Sequence, residues 1–137
     1  MRKGLMVLVL LMILTPIKVQ ASELSVTDKG FLMLIAQAEA EGEGVEGKAA
    51  VMRVVLNRVE SDRYPDTITE VIWDKGQFTT AYQGGRIFRV YPDDECREAV
   101  ELIENGWDKT QGAIYFNSNN TPIGQYLLQI GNHKFYK

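Results

Sequence analysis

Apolar residues Phe31, Leu34, Ile35 and Ala38 recur at the three- and four-residue intervals of one helix face. Ser25 or Thr27 can cap this helix at about residue 28, and Gly42 and Gly44 are placed to end it. A second stripe, Ala49, Met52, Val55 and Leu56, predicts a helix from Val45 to Val59. After an Arg63-Tyr64-Pro65-Asp66 loop, Asp66 or Thr67 can cap a short helix running to Trp73. Asp93 opens another helix, which Gly106 closes, and Cys96, Ala99, Val100 and Ile103 form its inner face. Between Lys75 and Tyr91 there is no period, only glycines and scattered aromatics; such loops often build sites on a rigid scaffold. Ala113-Ile114-Tyr115-Phe116 reads as a short strand and Asn117-Ser118-Asn119-Asn120 as a turn. The tail from Tyr126 to Tyr136 is apolar enough to dock, with a strand as one form. The pattern predicts one mostly helical α+β domain with a small β element.

The first residues follow a different rule. Arg2 and Lys3 precede an apolar run from Leu5 to Leu14, broken by Thr15-Pro16 and closed by Val19-Gln20-Ala21. That layout predicts a secretory signal peptide over residues 1–21, leaving a mature domain over 22–137. An uncleaved anchor is the competing reading, but the run is shorter than the roughly 20 residues a membrane helix needs. Losing Arg2, Lys3 and Lys18 would take the formal charge from −3 to −6. An acidic domain lacks the basic footprint of nucleic-acid binding, and charge alone would not hold it on anionic lipid.

Composition narrows the chemistry further. The chain has one histidine, His133, and one cysteine, Cys96. A zinc site drawing mostly on His and Cys for about three ligands cannot be filled, so no metal and no cofactor are expected. Cys96 belongs to a buried helix stripe and has no histidine nearby in sequence to activate it. His133, in Gly131-Asn132-His133-Lys134, reads as structural rather than catalytic. The glycines after the first helix do not follow a strand and form no dinucleotide fingerprint.

Carboxylate chemistry remains. Glu39 lies four residues after Ile35 and eight after Phe31, at the edge of the apolar face and in the helix's last turn. Burial and the negative helix end both disfavour its ionised form, which suits a general acid. Spacing alone leaves Glu39 open between that role and a solvated acidic loop, and favours the loop for Glu41 and Glu46. Glu43, after Gly42, can turn back toward Glu39.

Ala38-Glu39-Ala40-Glu41-Gly42-Glu43, then Glu46-Gly47 and Leu56-Asn57-Arg58-Val59, resemble the catalytic domain of the SleB/CwlJ cell wall hydrolases, the spore-cortex-lytic enzymes. The likeness continues in order through Tyr64-Pro65-Asp66-Thr67-Ile68, Val71-Ile72, Gly76-Gln77-Phe78-Thr79, Asn105-Gly106-Trp107-Asp108, Ala113-Ile114-Tyr115-Phe116-Asn117 and Ile130-Gly131-Asn132-His133-Lys134-Phe135-Tyr136. It implies a lysozyme-like α+β fold and cleavage of the β-1,4 bond between N-acetylmuramic acid and N-acetylglucosamine in peptidoglycan strands. It makes Glu39 the catalytic residue. It points to the Gln77-Phe78-Thr79 loop and the Tyr115-Phe116-Asn117 strand as walls of a glycan groove. There Phe78 and Tyr115 are candidates to stack on sugar faces and Gln77, Thr79 and Asn117 to bind acetamido or hydroxyl groups, while strand alternation turns Phe116 into the core.

The sequence departs from the family at Glu41, where many members carry Arg, and at Asn119–Gln129, where the likeness is weak. The peptidoglycan-binding module that some members carry ahead of this domain has no counterpart, which implies substrate capture by the groove or through a protein partner. Glycosidases usually employ two carboxylates; no second acid matches Glu39, and Asp74 has no assigned role. A lytic transglycosylase with Glu39 as both acid and base is therefore expected. A hydrolysing muramidase and a non-catalytic glycan-binding module are the alternatives.

Overall fold

The computed structural model describes residues 23–137; the signal-peptide reading falls outside the described residues. Helix α1 (Val26–Ala40) starts at Ser25, whose hydroxyl accepts from Asp28 N at 3.0 Å. Of the two caps expected, Ser25 serves and Thr27 lies within the first turn. The chain leaves the helix at Glu41, and α2 (Gly44–Val59) begins three residues later. Thr67 caps α3 (Ile68–Trp73), and Asp93 caps α4 (Asp94–Glu104) by accepting from Cys96 N at 3.0 Å. Each cap satisfies a backbone donor that the helix start leaves without a partner.

The helices bury the marked faces in part: Ile35, Ala38, Ala49, Met52 and Val55 are buried as expected, but Phe31, Leu34 and Leu56 are only half-buried, and Leu32 and Ala36 complete the inner face of α1. Leu32, Ile35 and Ala36 of α1 pack with Met52 and Val55 of α2, with Val71 and Ile72 of α3, and with Ala99 and Val100 of α4. Each large aliphatic side chain taken from water stabilises the fold by about 1.5–3 kcal/mol. Cys96 is buried in α4, and burial pushes its thiol up to about 11. One buried side chain is not apolar. Lys48 on α2 is 0% exposed. Its Nζ donates to Glu95 at 2.7 Å and lies 3.6 Å from Asp93 at the start of α4. The pairing supplies the opposite charge that a buried ammonium requires.

The β element differs from expectation in detail. Strand β1 covers Tyr115–Asn117, not 113–116: Ala113 N is held in a turn by Thr110 O at 3.1 Å, so only Ile114 onward reaches the ladder. The tail forms two strands, β2 (Tyr126–Ile130) and β3 (His133–Tyr136), joined at Gly131-Asn132. The antiparallel sheet has the order β1-β3-β2, so the last strand is central. Phe135 of β3 and Phe116 of β1 turn to one face and pack against Ala50 and Val54 of α2. Between the helices and the sheet runs the irregular segment 74–91, which contains two short 3-10 turns, Thr79–Ala81 and Arg86–Phe88.

Candidate active site

Glu39 sits in the last turn of α1, mostly but not wholly buried. The Thr80 hydroxyl, from the first 3-10 turn, donates to Glu39 Oε1. Burial raises the carboxyl above its ordinary range, while the Thr80 bond and the Arg58 and Arg86 charges pull it back. Desolvation acting against the anion is the larger effect, so the acid form is favoured.

Gly85 is what allows Thr80 to stand there. A Cβ on Gly85 would lie 2.2 Å from Thr80 O, so only glycine lets the two turns pack this closely. Arg86 follows, and its guanidinium pairs with Glu41, two residues beyond the acid. Arg58 approaches from α2. Its Nε donates to Ile114 O at 2.8 Å, its guanidinium lies over the Phe78 ring at 4.7 Å and the Tyr64 ring at 5.1 Å, and its Nη1 is buried without a partner. This cation ties α2 to the entry of β1 and holds positive charge within reach of Glu39.

The neighbouring carboxylates are occupied. Glu41 is taken up by Arg86. Glu43 accepts Asn132 N at 2.9 Å on Oε2 and Asn132 Nδ2 at 3.0 Å on Oε1. The backbone bond from Asn132 is the main cause holding its carboxyl below the ordinary range. Gly131 accommodates this clamp, because a Cβ there would lie 2.1 Å from Glu43 Oε2. Asp74 acts on Arg58 through charge.

Residues 42–136 match the cell wall hydrolase family. The chain belongs to that family. The spore cortex-lytic enzyme of Oceanobacillus iheyensis is 39% identical over 115 residues, covering 77% of this chain and 41% of that protein. That of Bacillus subtilis is 35% identical over 113 residues, covering 76% of this chain and 36% of that protein. The chain thus spans less than half the length of these curated relatives. Among solved structures, the catalytic domain of the germination-specific lytic transglycosylase SleB from Bacillus anthracis superposes with a TM-score of 0.73 at 31% identity. The superposition covers 85% of this chain and 98% of that domain. The SleB catalytic domain of Bacillus cereus gives the same TM-score and identity over 94% of its length. The hydrolase therefore has the lysozyme-like α+β fold that its motifs implied. The stretch matched to the family begins at Gly42, three residues past Glu39.

The expected groove residues divide on inspection. Phe78 is 3% exposed, with Arg58 over its ring and Phe116 at 6.3 Å, so it offers no free face to a sugar; it seats the arginine instead. Thr79 is exposed, but the hydroxyl that reaches Glu39 belongs to Thr80. Gln77 is half-buried at the turn closed by its own N–H to Asp74 O at 3.2 Å. Tyr115 accepts from Arg63 Nη2 at 2.6 Å on the β1 face opposite Phe116. Asn117 Nδ2 donates to Thr121 O at 2.6 Å in the following turn, while its Oδ1 is buried without a partner. Phe116 packs inward, as strand alternation indicated. His133 is buried edge-on to Phe116 at 5.1 Å, and burial lowers its pKa.

Sequence reasoning missed Thr80, Arg58 and Arg86. Arg58 carried a signal: it falls three residues after Val55 and seven after Val51, on a buried stripe where a charge is out of place. Thr80 and Arg86 carried none, since their relevance comes from contacts 41 and 45 residues away in the chain.

Proposed function

We propose that this hydrolase is an exported lytic transglycosylase acting on the glycan strands of peptidoglycan, at the wall or spore envelope, with Glu39 as its single acid/base residue. The observation that carries the proposal is the state of the local carboxylates. Burial raises the Glu39 carboxyl above its ordinary range, while Glu41 and Glu43 are each engaged elsewhere. The likeness to the Bacillus anthracis domain, named a lytic transglycosylase, supports the same reading.

In the first step the Glu39 carboxyl gives its proton to the glycosidic oxygen as the C1–O bond breaks. The substrate's own 2-acetamido oxygen shares the positive charge left at C1. Glu39 is now a carboxylate, which the Thr80 hydroxyl and the nearby Arg58 charge stabilise. It then takes the proton from the muramic acid 6-hydroxyl as O6 bonds to C1, closing an anhydro ring and restoring the acid. The cycle consumes no water and needs no second carboxylate. Strand capture falls to the groove itself or to a protein partner.

Product analysis tests this. Mass spectrometry of digested sacculi should show anhydromuramyl ends, lighter by one water than hydrolysed ends. Reducing muramic ends would instead make the protein a muramidase that hydrolyses. Glu39→Gln should fold and lose activity by on the order of a thousandfold. It should also melt at or above the wild-type temperature at neutral pH. The raised pKa means Glu39 contributes stability below its unfolded pKa and loses it as pH rises through the folded one, and Gln removes that loss. A folded Glu39→Gln variant that still solubilises sacculi would sink the assignment; one that binds glycan no differently from an inert wild type would leave only a binding module.

A further inference from the structure

Among the described residues, four of the seven large apolar side chains that stand exposed are aromatics in or bordering the segment 74–91: Trp73 at the end of α3, then Tyr82, Phe88 and Tyr91. This is the segment that delivers Thr80 to Glu39. Exposed apolar patches of this kind mark ligand-binding surfaces more often than they arise by chance. Two of the rings are organised. Trp73 is 40% exposed and Phe88 60%, and their centroids lie 5.7 Å apart with planes inclined by 35°. Phe31 of α1 meets Trp73 edge-on, at 6.3 Å and 89°, and fixes its orientation from below. The pair is therefore a supported platform and not two loose side chains.

Its position relates it to the acid. Phe31 and Glu39 lie on the same helix, eight residues or about 12 Å apart along its axis. The 3-10 turn Arg86–Phe88 is connected to both regions of α1: Arg86 pairs with Glu41, two residues past the acid, and Phe88 packs on Trp73, which Phe31 supports. A glycan strand entering at Glu39 and following this turn would meet the rings at a separation on the scale of one disaccharide.

We propose that Trp73 and Phe88 form a remote glycan subsite, which takes the apolar face of an N-acetylhexosamine ring in the same strand that Glu39 cuts. The inference rests on the glycan-cleaving reading above. Pyranose rings present a face of axial C–H groups, and a partly exposed aromatic pair buries that face at little entropic cost because both side chains are already held. Such a contact binds ground state and transition state alike, so it acts on KM and leaves the chemical step alone.

Phe88→Ala is the informative variant, because Phe88 is the more exposed ring and thermal unfolding can verify that the fold persists. On solubilised glycan strands it should raise KM roughly tenfold and leave kcat within about twofold, with Phe88→Trp restoring KM. In the Glu39→Gln background, the same change should weaken binding of an N-acetylglucosamine hexamer by a similar factor. Unchanged KM and unchanged hexamer affinity would overturn the subsite, as would a fall in kcat at constant KM. The binding arm separates the two proposals. If the wild type holds strands without cutting them, the cleavage reading fails while the hexamer comparison still decides the platform.

Discussion

The two sides of the acid are built on opposite principles. On one side stands α1, a capped helix whose Leu32, Ile35 and Ala36 are wholly buried and whose last turn presents Glu39. On the other lies the segment 74–91, with two 3-10 turns of three residues each and aromatics facing solvent. The helix fixes where the carboxyl is. The segment tempers the shift that burial gives the carboxyl, since Thr80 and Arg86 come from it. An acid fixed on a packed helix, with tuning groups on an irregular flank, can accept a bulky strand without disturbing its own position. The helix side should therefore respond to substitution through stability, and the loop side through pH dependence.

Arg58 is the residue that joins the two sides, and its removal should have the largest effect. Arg58→Met takes away the Nε bond to Ile114 O and the charge over Phe78 and Tyr64. Chemical denaturation should show a loss of about 2–3 kcal/mol, because a buried carbonyl is left without its donor. The alkaline limb of the activity profile should move to higher pH, since a cation that favours ionised Glu39 is gone. A variant as stable as wild type with an unmoved limb would show that Arg58 links nothing.

Thr80→Val isolates the loop side. The hydroxyl stabilises the carboxylate form of Glu39, so its loss raises the pKa further and shifts the alkaline limb upward. Activity at the optimum should fall about tenfold, because the second half of the proposed cycle needs a stable carboxylate. Melting temperature should change little. A large drop in stability with an unmoved pH profile would reverse the division between the two sides.

The same division governs what the amino-acid pattern reveals. The caps of α1, α3 and α4 and the burial of Cys96 were readable, because each depends on residues three or four apart. Glu39 was readable as a candidate for the same reason, and the family motif raised it above a solvated loop. The C-terminal hairpin was half-readable: its alternation breaks at the bulge between Tyr126 and Leu128, which hides the strand period. Phe78 was misplaced because an aromatic in an irregular segment gives no face from spacing; only Arg58, 20 residues earlier, shows that its ring is already covered. Lys48 escaped notice because its counter-charges, Glu95 and Asp93, lie on a different helix.

The smallest effect should come from Glu43, and it tests whether the sheet belongs to the rigid side. Glu43 precedes α2 and holds the β2–β3 turn through Asn132 N and Nδ2. Glu43→Ala should destabilise by about 1 kcal/mol, the net value of a pair of part-exposed bonds to a carboxylate. The pH dependence identifies the cause. With its folded pKa depressed, Glu43 contributes stability above its unfolded pKa and loses it as pH falls through the folded one. Wild type should therefore lose this increment on acidification, and Glu43→Ala should not, so the two melting curves converge at low pH. His133 adds an acid-side loss of its own, because burial lowers its pKa; the Glu43 charge opposes that lowering, so the His133 loss is larger in Glu43→Ala. If kcat falls by more than the unfolded fraction explains while the melting curves stay parallel, Glu43 takes part in the chemistry. The single-acid mechanism would then give way to a paired one.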